Sequence, residues 1–237
     1  MKQPNPNIKT VKIWDLDGTV INSFHRVKPC FDEEGNLNIT QYMKEACTHE
    51  KIMDDSLLPL VEYMKESFND PSVVNIICTA RLMRKSDYYY LRKQGLRGRG
   101  NNNSVILSRD TLARHFPLNR VPEIYSSRDA DYKAAYFELI KQWYPSATIT
   151  MIDDNQSVLK AAVNAGLQTL DAVAINDILS VGVRLVGESF IDDSLDDDND
   201  YQFLCERLKQ CWLGMTDEER AEYSTTPQRF IQKLNAA

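Results

Sequence analysis

Val11-Lys12-Ile13-Trp14-Asp15-Leu16-Asp17-Gly18-Thr19 is a β-rich run that ends on two carboxylates and a glycine. Successive strand residues point to opposite faces. One residue between Asp15 and Asp17 therefore lets both carboxylates face a single crevice at the strand's carboxyl end. Ligands of open α/β sheets bind at that end. Gly18 allows a sharp turn just after the second carboxylate. Two carboxylates so close repel, and each raises the other's pKa unless a cation neutralises them. Oxygen donors of this kind suit a hard divalent ion such as Mg²⁺.

Working outward, further β-rich runs alternate with helix-length amphipathic stretches. The runs are Val11–Trp14, Val73–Cys78, Val105–Leu107, Thr148–Ile152 and Thr169–Val173. The helical stretches are Leu57–Phe68, Lys85–Gln94, Thr111–His115, Tyr132–Trp143 and Gln156–Ala165. This alternation predicts an α/β fold with a central parallel sheet and helices on both faces. Unbroken apolar runs such as Val73–Cys78 fit strands buried on both sides. Two segments interrupt the scheme. Residues 22–53 carry a hairpin turn signal at Glu33-Glu34-Gly35-Asn36 and a short helix near Thr40–Cys47, and read as a small flap or cap beside the first strand. Residues 181–237 read as an acidic linker followed by a helical extension. Its last helix opens on the capping pattern Thr216-Asp217-Glu218-Glu219. Residues 1–180 are thus the expected core.

Three more segments bring chemistry to strand ends. Ile76-Ile77-Cys78-Thr79-Ala80-Arg81 ends a strand on a hydroxyl and then a cation. Thr79 can hydrogen-bond a phosphoryl oxygen and Arg81 can hold it or the leaving group, although a strand-ending Thr is also a routine helix cap. Ser127-Arg128-Asp129-Ala130-Asp131-Tyr132-Lys133 opens a helix. Lys133 could pair with Asp15 and a transferring phosphoryl group; the plainer reading is an exposed helical lysine. Thr148-Ile149-Thr150-Met151-Ile152-Asp153-Asp154-Asn155 ends a strand on adjacent carboxylates. One or both can complete a Mg²⁺ shell, and one could instead cap the next helix.

The order Asp-x-Asp, Thr, Lys, Asp-Asp resembles the haloacid dehalogenase superfamily of phosphotransferases over roughly residues 9–175. The resemblance implies a Rossmann-like core and a Mg²⁺-dependent phosphomonoester hydrolase. Asp15 would be the nucleophile and Asp17 the acid/base. Thr19, Thr79, Arg81 and Lys133 would contact phosphate or substrate. Asp15, Asp153, Asp154 and the backbone carbonyl of Asp17 would meet the metal. An Asp at the second motif position favours phosphatases over dehalogenases. The chain is also similar to small nucleotidases of that superfamily and to the phosphatase domain of phage-type polynucleotide kinase/phosphatase. No Gly-x-x-x-x-Gly-Lys-[Ser/Thr] segment is present, so the kinase half of the latter is absent.

Composition bounds the setting. The 237 residues are 43% hydrophobic and 26% charged, enough for one α/β domain with additions. No apolar run is long enough to span a bilayer, and the polar segment Met1–Lys12 does not read as a signal peptide. Cys30, Cys47, Cys78, Cys205 and Cys211 show no metal-binding or disulfide spacing, which predicts reduced cysteines and the cytoplasm.

A net charge of -6 argues against a generic nucleic-acid binder. Residues 81–99 nevertheless collect Arg81, Arg84, Lys85, Arg92, Lys93, Arg97 and Arg99 around Tyr88, Tyr89 and Tyr90. Basic and aromatic side chains together suit a phosphate backbone with stacked bases, whereas a solvated amphipathic helix with Tyr88–Tyr90 partly in the core is the plainer reading. Phe24, His25, Arg26 and Lys28 open the flap, and His25 is the foremost of them for touching a leaving group. Asp196, Asp198 and Asp200 begin like a calcium loop. Tyr201 and Arg207 then stand where Gly and Glu are required, so the run reads as a solvated segment.

The leading expectation is a nucleotidase acting on (deoxy)nucleoside 5′-monophosphates. A polynucleotide 3′-phosphatase is the alternative, and the position of segment 81–99 relative to the crevice discriminates the two. A signalling receiver domain would place the acidic pair first. A non-catalytic relative would have lost motif residues. The C-terminal helices suit a homodimer contact or packing on the core, and the sequence leaves the oligomeric state open.

Overall fold

A computed structural model describes residues 8–33, 37–97 and 105–180. Positions 34–36 of the expected hairpin turn, Arg99, the acidic run and the C-terminal helices lie outside the described residues. An antiparallel bridge between Phe31 and Leu37 brackets that turn. Cys30, Cys47 and Cys78 are buried free thiols.

Five strands form one parallel sheet: β1 (Thr10–Trp14), β4 (Val73–Cys78), β5 (Val105–Leu107), β6 (Thr148–Asp153) and β7 (Gln168–Asp171). Their order is β5-β4-β1-β6-β7. Strand β1 is central, with Trp14 in register with Ile77 on one side and Ile152 on the other. That register aligns the ends of β1, β4 and β6: Asp15 and Asp17 follow β1, Thr79 and Arg81 follow β4, and Asp153 and Asp154 stand at the end of β6, while Lys133 is brought in by a helix. The crossovers place helices on both faces. The chain is an α/β protein with a Rossmann-like parallel sheet.

Strand alternation splits the core. Val11 and Ile13 pack with Val74, Ile76 and Cys78 on one face, against Tyr132, Tyr136, Phe137 and Ile140 of α7 (Asp129–Trp143). Trp14 and Ile77 pack on the other face, against Val61, Tyr63 and Met64 of α4 (Val61–Ser67). Helix α7 buries Tyr132, Lys133, Tyr136, Phe137, Ile140 and Trp143. That stripe follows the helical period, and Lys133 lies within it, so an ammonium group is carried into the interior. Buried Asn75 is held by Trp14 Nε1 at 2.8 Å and Ser67 Oγ at 2.6 Å, which makes a polar residue tolerable inside β4.

The flap leaves and returns through a two-stranded antiparallel ribbon of β2 (Ile21–Asn22) and β3 (Ser56–Leu57). Between these lie α1 (Phe24–Val27), α2 (Ile39–Gln41) and α3 (His49–Met53). Four elements differ most from expectation, the first being the helix expected near Thr40–Cys47, which is α-helical only over Ile39–Gln41 and continues as a wider π-turn over Tyr42–Ala46. The helix expected over Leu57–Phe68 starts only at Val61, because Ser56 and Leu57 close the ribbon. The strand expected to Val173 stops at Asp171, whose Oδ1 accepts from Val173 N and Ala174 N and starts a helix over 172–180. The helix expected over Thr111–His115 is a 3₁₀ segment, Arg109–Arg114, tightened by the reciprocal cap of Ser108 and Thr111. The remaining helices are α5 (Lys85–Lys93), α6 (Val121–Ser126) and α8 (Gln156–Asn164).

Candidate active site

Asp15 follows β1 and its amide hydrogen-bonds Ile152 O at 3.0 Å, so β1 and β6 fix its backbone. The residue is buried, its side chain 9% exposed. Lys133 Nζ lies 2.8 Å from Asp15 Oδ1 and 2.6 Å from Asp153 Oδ2. Carboxylate oxygens of Asp15, Asp153 and Asp154 lie within 4.8 Å of one another. Burial pushes Asp15 up to about 7, against the pull of Lys133 and with the push of Asp153. Burial and the charge of Asp15 raise Asp154 to about 6. Burial likewise raises Asp153. Lys133 is raised although burial opposes it, because Asp15 and Asp153 favour its charged form.

Gly18 is fitted to this cluster. Its φ is +74°, and a Cβ there would stand 2.3 Å from Asp154 Oδ2. Only a glycine lets Asp154 close on the loop. Three converging carboxylates with one lysine among them, all offering oxygen, fit a divalent cation of the Mg²⁺ kind.

The second motif carboxylate has different partners. Asp17 accepts from Ser23 Oγ at 2.6 Å and from Arg81 Nε at 2.9 Å, and Arg81 Nη2 also reaches its Oδ1. Arg26 Nη2 stands 3.7 Å away. Burial alone would raise the pKa of Asp17, yet the charge and hydrogen bonds of Arg81, with Ser23 and Arg26, hold it below the ordinary value. Arg81 spends its remaining nitrogen on Asp87 Oδ1 at 2.6 Å. Thr79 is buried, and its Oγ1 accepts Arg81 N at 3.2 Å. Among the described residues, Thr19 Oγ1 is a buried side-chain oxygen with no hydrogen-bond partner.

The structure therefore brings Asp15, Lys133, Asp153 and Asp154 together and sets Asp17 with Arg81 beside them. Segment 81–99 does not act as one patch. Arg81 turns into the crevice, whereas Lys85, Arg92 and Arg97 line a separate groove that none of the motif residues enters.

The model of the bacteriophage T5 5′-deoxynucleotidase family matches residues 1–237. The chain belongs to this family. A 5′-deoxynucleotidase of Escherichia phage T5 is 64% identical over 232 residues, which cover 98% of this chain and 95% of that one. A hydrolase from Streptococcus pneumoniae TIGR4 superposes with a TM-score of 0.43 at 13% identity, over 73% of this chain and 99% of that one. The fold assignment rests on the sheet described above. Membership of the 5′-deoxynucleotidase family makes the chain an enzyme of the phosphomonoester hydrolase class. The receiver-domain and non-catalytic readings fall with it. No described helix is long and apolar enough to cross a membrane.

This family member also holds Arg26, one of the four flap residues noted in the sequence, and Ser23, Tyr42, Asp55 and Asp87, to which the sequence reading assigned no role in the site. Arg26 grips buried Asp55 through Nε and Nη2 at 2.7 and 2.9 Å. Arg26 stands at the site where His25 was expected. The His25 side chain is 40% exposed and no nearer than 3.9 Å to Asp55. Asp87 holds Arg81 and also caps α5 by accepting Arg84 N at 2.8 Å. Tyr42, from the flap, feels the charges of Asp17 and Arg81 after its burial, and its hydroxyl pKa is raised. Ser23 and Arg26 are three apart on one helical turn, a spacing visible in the sequence. Asp55 carries no such local signal.

Proposed function

We propose that the enzyme removes the 5′-phosphate of deoxynucleoside 5′-monophosphates with Mg²⁺, through an aspartyl-phosphate on Asp15. The observation that carries the reading is Asp15 itself. It lies at the end of the central strand, aimed by Lys133 and crowded by Asp153 and Asp154. The family and its T5 relative supply the substrate class.

Asp15, Asp153 and Asp154, with the carbonyl of Asp17, would hold the cation. Bound there, Mg²⁺ supplies positive charge for the carboxylates and the phosphoryl oxygens. Lys133 keeps Asp15 oriented and favours its ionised form. An Asp15 oxygen forms the bond to phosphorus as the ester P–O bond breaks. The departing 5′-oxygen takes a proton from Asp17. Water then attacks the aspartyl-phosphate, gives its proton to Asp17, and inorganic phosphate leaves. Thr79 and Thr19 offer hydroxyls to the phosphoryl oxygens, and Thr19 would gain the partner it lacks. Arg81 is the exchangeable element. A phosphate dianion competes with Asp17 for its guanidinium, which frees Asp17 to carry the proton.

Phosphate release with Mg²⁺ tests the reading, using deoxy- and ribonucleoside monophosphates beside 3′- and 5′-phosphorylated oligonucleotides. Release from deoxynucleoside 5′-monophosphates, lost in Asp15→Asn and in EDTA, is the expected result. Release confined to 3′-phosphorylated oligonucleotides would replace it with end repair.

A further inference from the structure

Helix α5 has two faces with different partners. Its inner face buries Asp87, Tyr90 and Leu91. Its outer face borders a groove with a volume of about 630 Å³, into which Lys85, Arg92, Arg97 and Arg114 converge beside Tyr88 and Tyr89. None of the four cations makes an ion pair with a described carboxylate. The chain as a whole is acidic, at -6, so this concentration of positive charge runs against its composition. Four cations around one concavity repel one another and attract an anion with several charges.

The rings add a second recognition element. Tyr89 is 50% exposed, and its ring centroid stands 6.0 Å from that of His49. Arg97 lies over the ring of Tyr88, 5.0 Å from its centroid. Exposed aromatic faces beside cations suit a base and its phosphates. The floor of the groove is α5, whose nine residues rise only about 13 Å. Strand-binding surfaces accommodate roughly four nucleotides or more. The groove volume instead falls within the roughly 300–1,000 Å³ of small-molecule sites.

We propose that this groove is a second, non-catalytic binding site for a single nucleotide bearing two or three phosphates. Lys85, Arg92, Arg97 and Arg114 take the phosphates, and Tyr89 and His49 stack on the base. The site is independent of which monoester the active site cleaves.

The test is calorimetric titration of full-length Asp15→Asn protein with dATP, so that no turnover intervenes. Saturable binding is expected, weakened at least tenfold by adding Lys85→Ala and Arg92→Ala. Both side chains are exposed. In the Asp15 background the same pair should leave kcat/KM for a deoxynucleoside monophosphate within about twofold, which separates failure here from failure of the catalytic reading. Absence of binding, or binding unchanged by the pair, overturns the site. Inorganic triphosphate binding as tightly as dATP overturns the role of the rings. A single-stranded 12-mer binding more tightly than dATP through Lys85 and Arg92 would assign the groove to nucleic acid instead.

Discussion

The two sides of the crevice compensate the same residue type differently: Asp15 and Asp154 are raised on one side, Asp17 is lowered on the other, and Asp55 there is raised by burial in spite of Arg26. On the sheet side, Asp15, Asp153 and Asp154 share one lysine. Asp15 is pushed up to about 7 and Asp154 to about 6. On the flap side, each carboxylate has a guanidinium: Asp17 and Asp87 take Arg81, and Asp55 takes Arg26. Asp17, only two residues from Asp15, is held below its ordinary value. The sheet side is short of positive charge, which suits the proposed metal site. The flap side is compensated from within, as a structural clamp must be.

The largest expected effect falls on the sheet side. Asp15→Asn keeps the shape and removes the proposed nucleophile. A loss of kcat of about 10⁴-fold or more is expected in phosphate-release assays, with the fold intact by circular dichroism. Retention of even a tenth of the activity would place the nucleophile elsewhere and break the comparison at its root.

On the flap side the expected loss is one of stability. Asp55→Asn takes from the guanidinium of Arg26, itself 2% exposed, its hydrogen-bonded ionic partner and leaves, among the described residues, only Asp17 at 3.7 Å. Breaking a buried pair from one end costs about 3–5 kcal/mol, read by urea unfolding. Replacing both ends, with Arg26→Met and Asp55→Leu, should recover most of that loss. If the single and double variants are equally stable, the clamp is not what holds the flap down.

The sequence disclosed the two sides unequally. Asp15, Asp153 and Asp154 were legible because each sits at the end of a run whose period is local, and parallel register brings those ends together, whereas Lys133 was legible from the order of the motifs and reaches them on the buried face of α7. Strands Val73–Cys78 and Val105–Leu107 read off as they stand for the same reason. The flap pairs span 29 residues from Arg26 to Asp55 and 64 from Asp17 to Arg81. No local pattern encodes such partners. Segment 81–99 shows the limit most clearly. Its charges look continuous in sequence, yet one helical turn sends Asp87 inward to Arg81 while Lys85 and Arg92, seven apart, share the outer face.

Gly18→Ala tests the closeness of the sheet side without touching a carboxylate. The new Cβ would collide with Asp154 Oδ2, and the φ of +74° is unfavourable for alanine. Asp154 must retreat from Asp15 and Asp153. The expected result is a Mg²⁺ requirement raised about 10–100-fold, the range seen when the support of a metal ligand is lost. The maximal rate at saturating Mg²⁺ should fall less. An unchanged Mg²⁺ dependence would remove Asp154 from the metal site.

The smallest effect has the opposite sign from the flap side and sharpens the contrast most. A carboxyl whose folded pKa lies above its unfolded value weakens the fold once pH exceeds both. Asp154, raised to about 6 by burial and by Asp15, is such a group at pH 7 and above in metal-free protein. Asp154→Asn removes the charge and nearly keeps the volume. In EDTA at pH 7.5 the variant should therefore melt higher than the parent, by roughly 2–4 °C for each kcal/mol relieved. With saturating Mg²⁺ the order should reverse, because the parent gains a ligand that the variant cannot hold as well. Asp55→Asn should melt lower than the parent in both conditions. If Asp154→Asn instead destabilises the metal-free protein as Asp55→Asn does, the sheet-side carboxylates are a structural cluster, and their crowding says nothing about a cation.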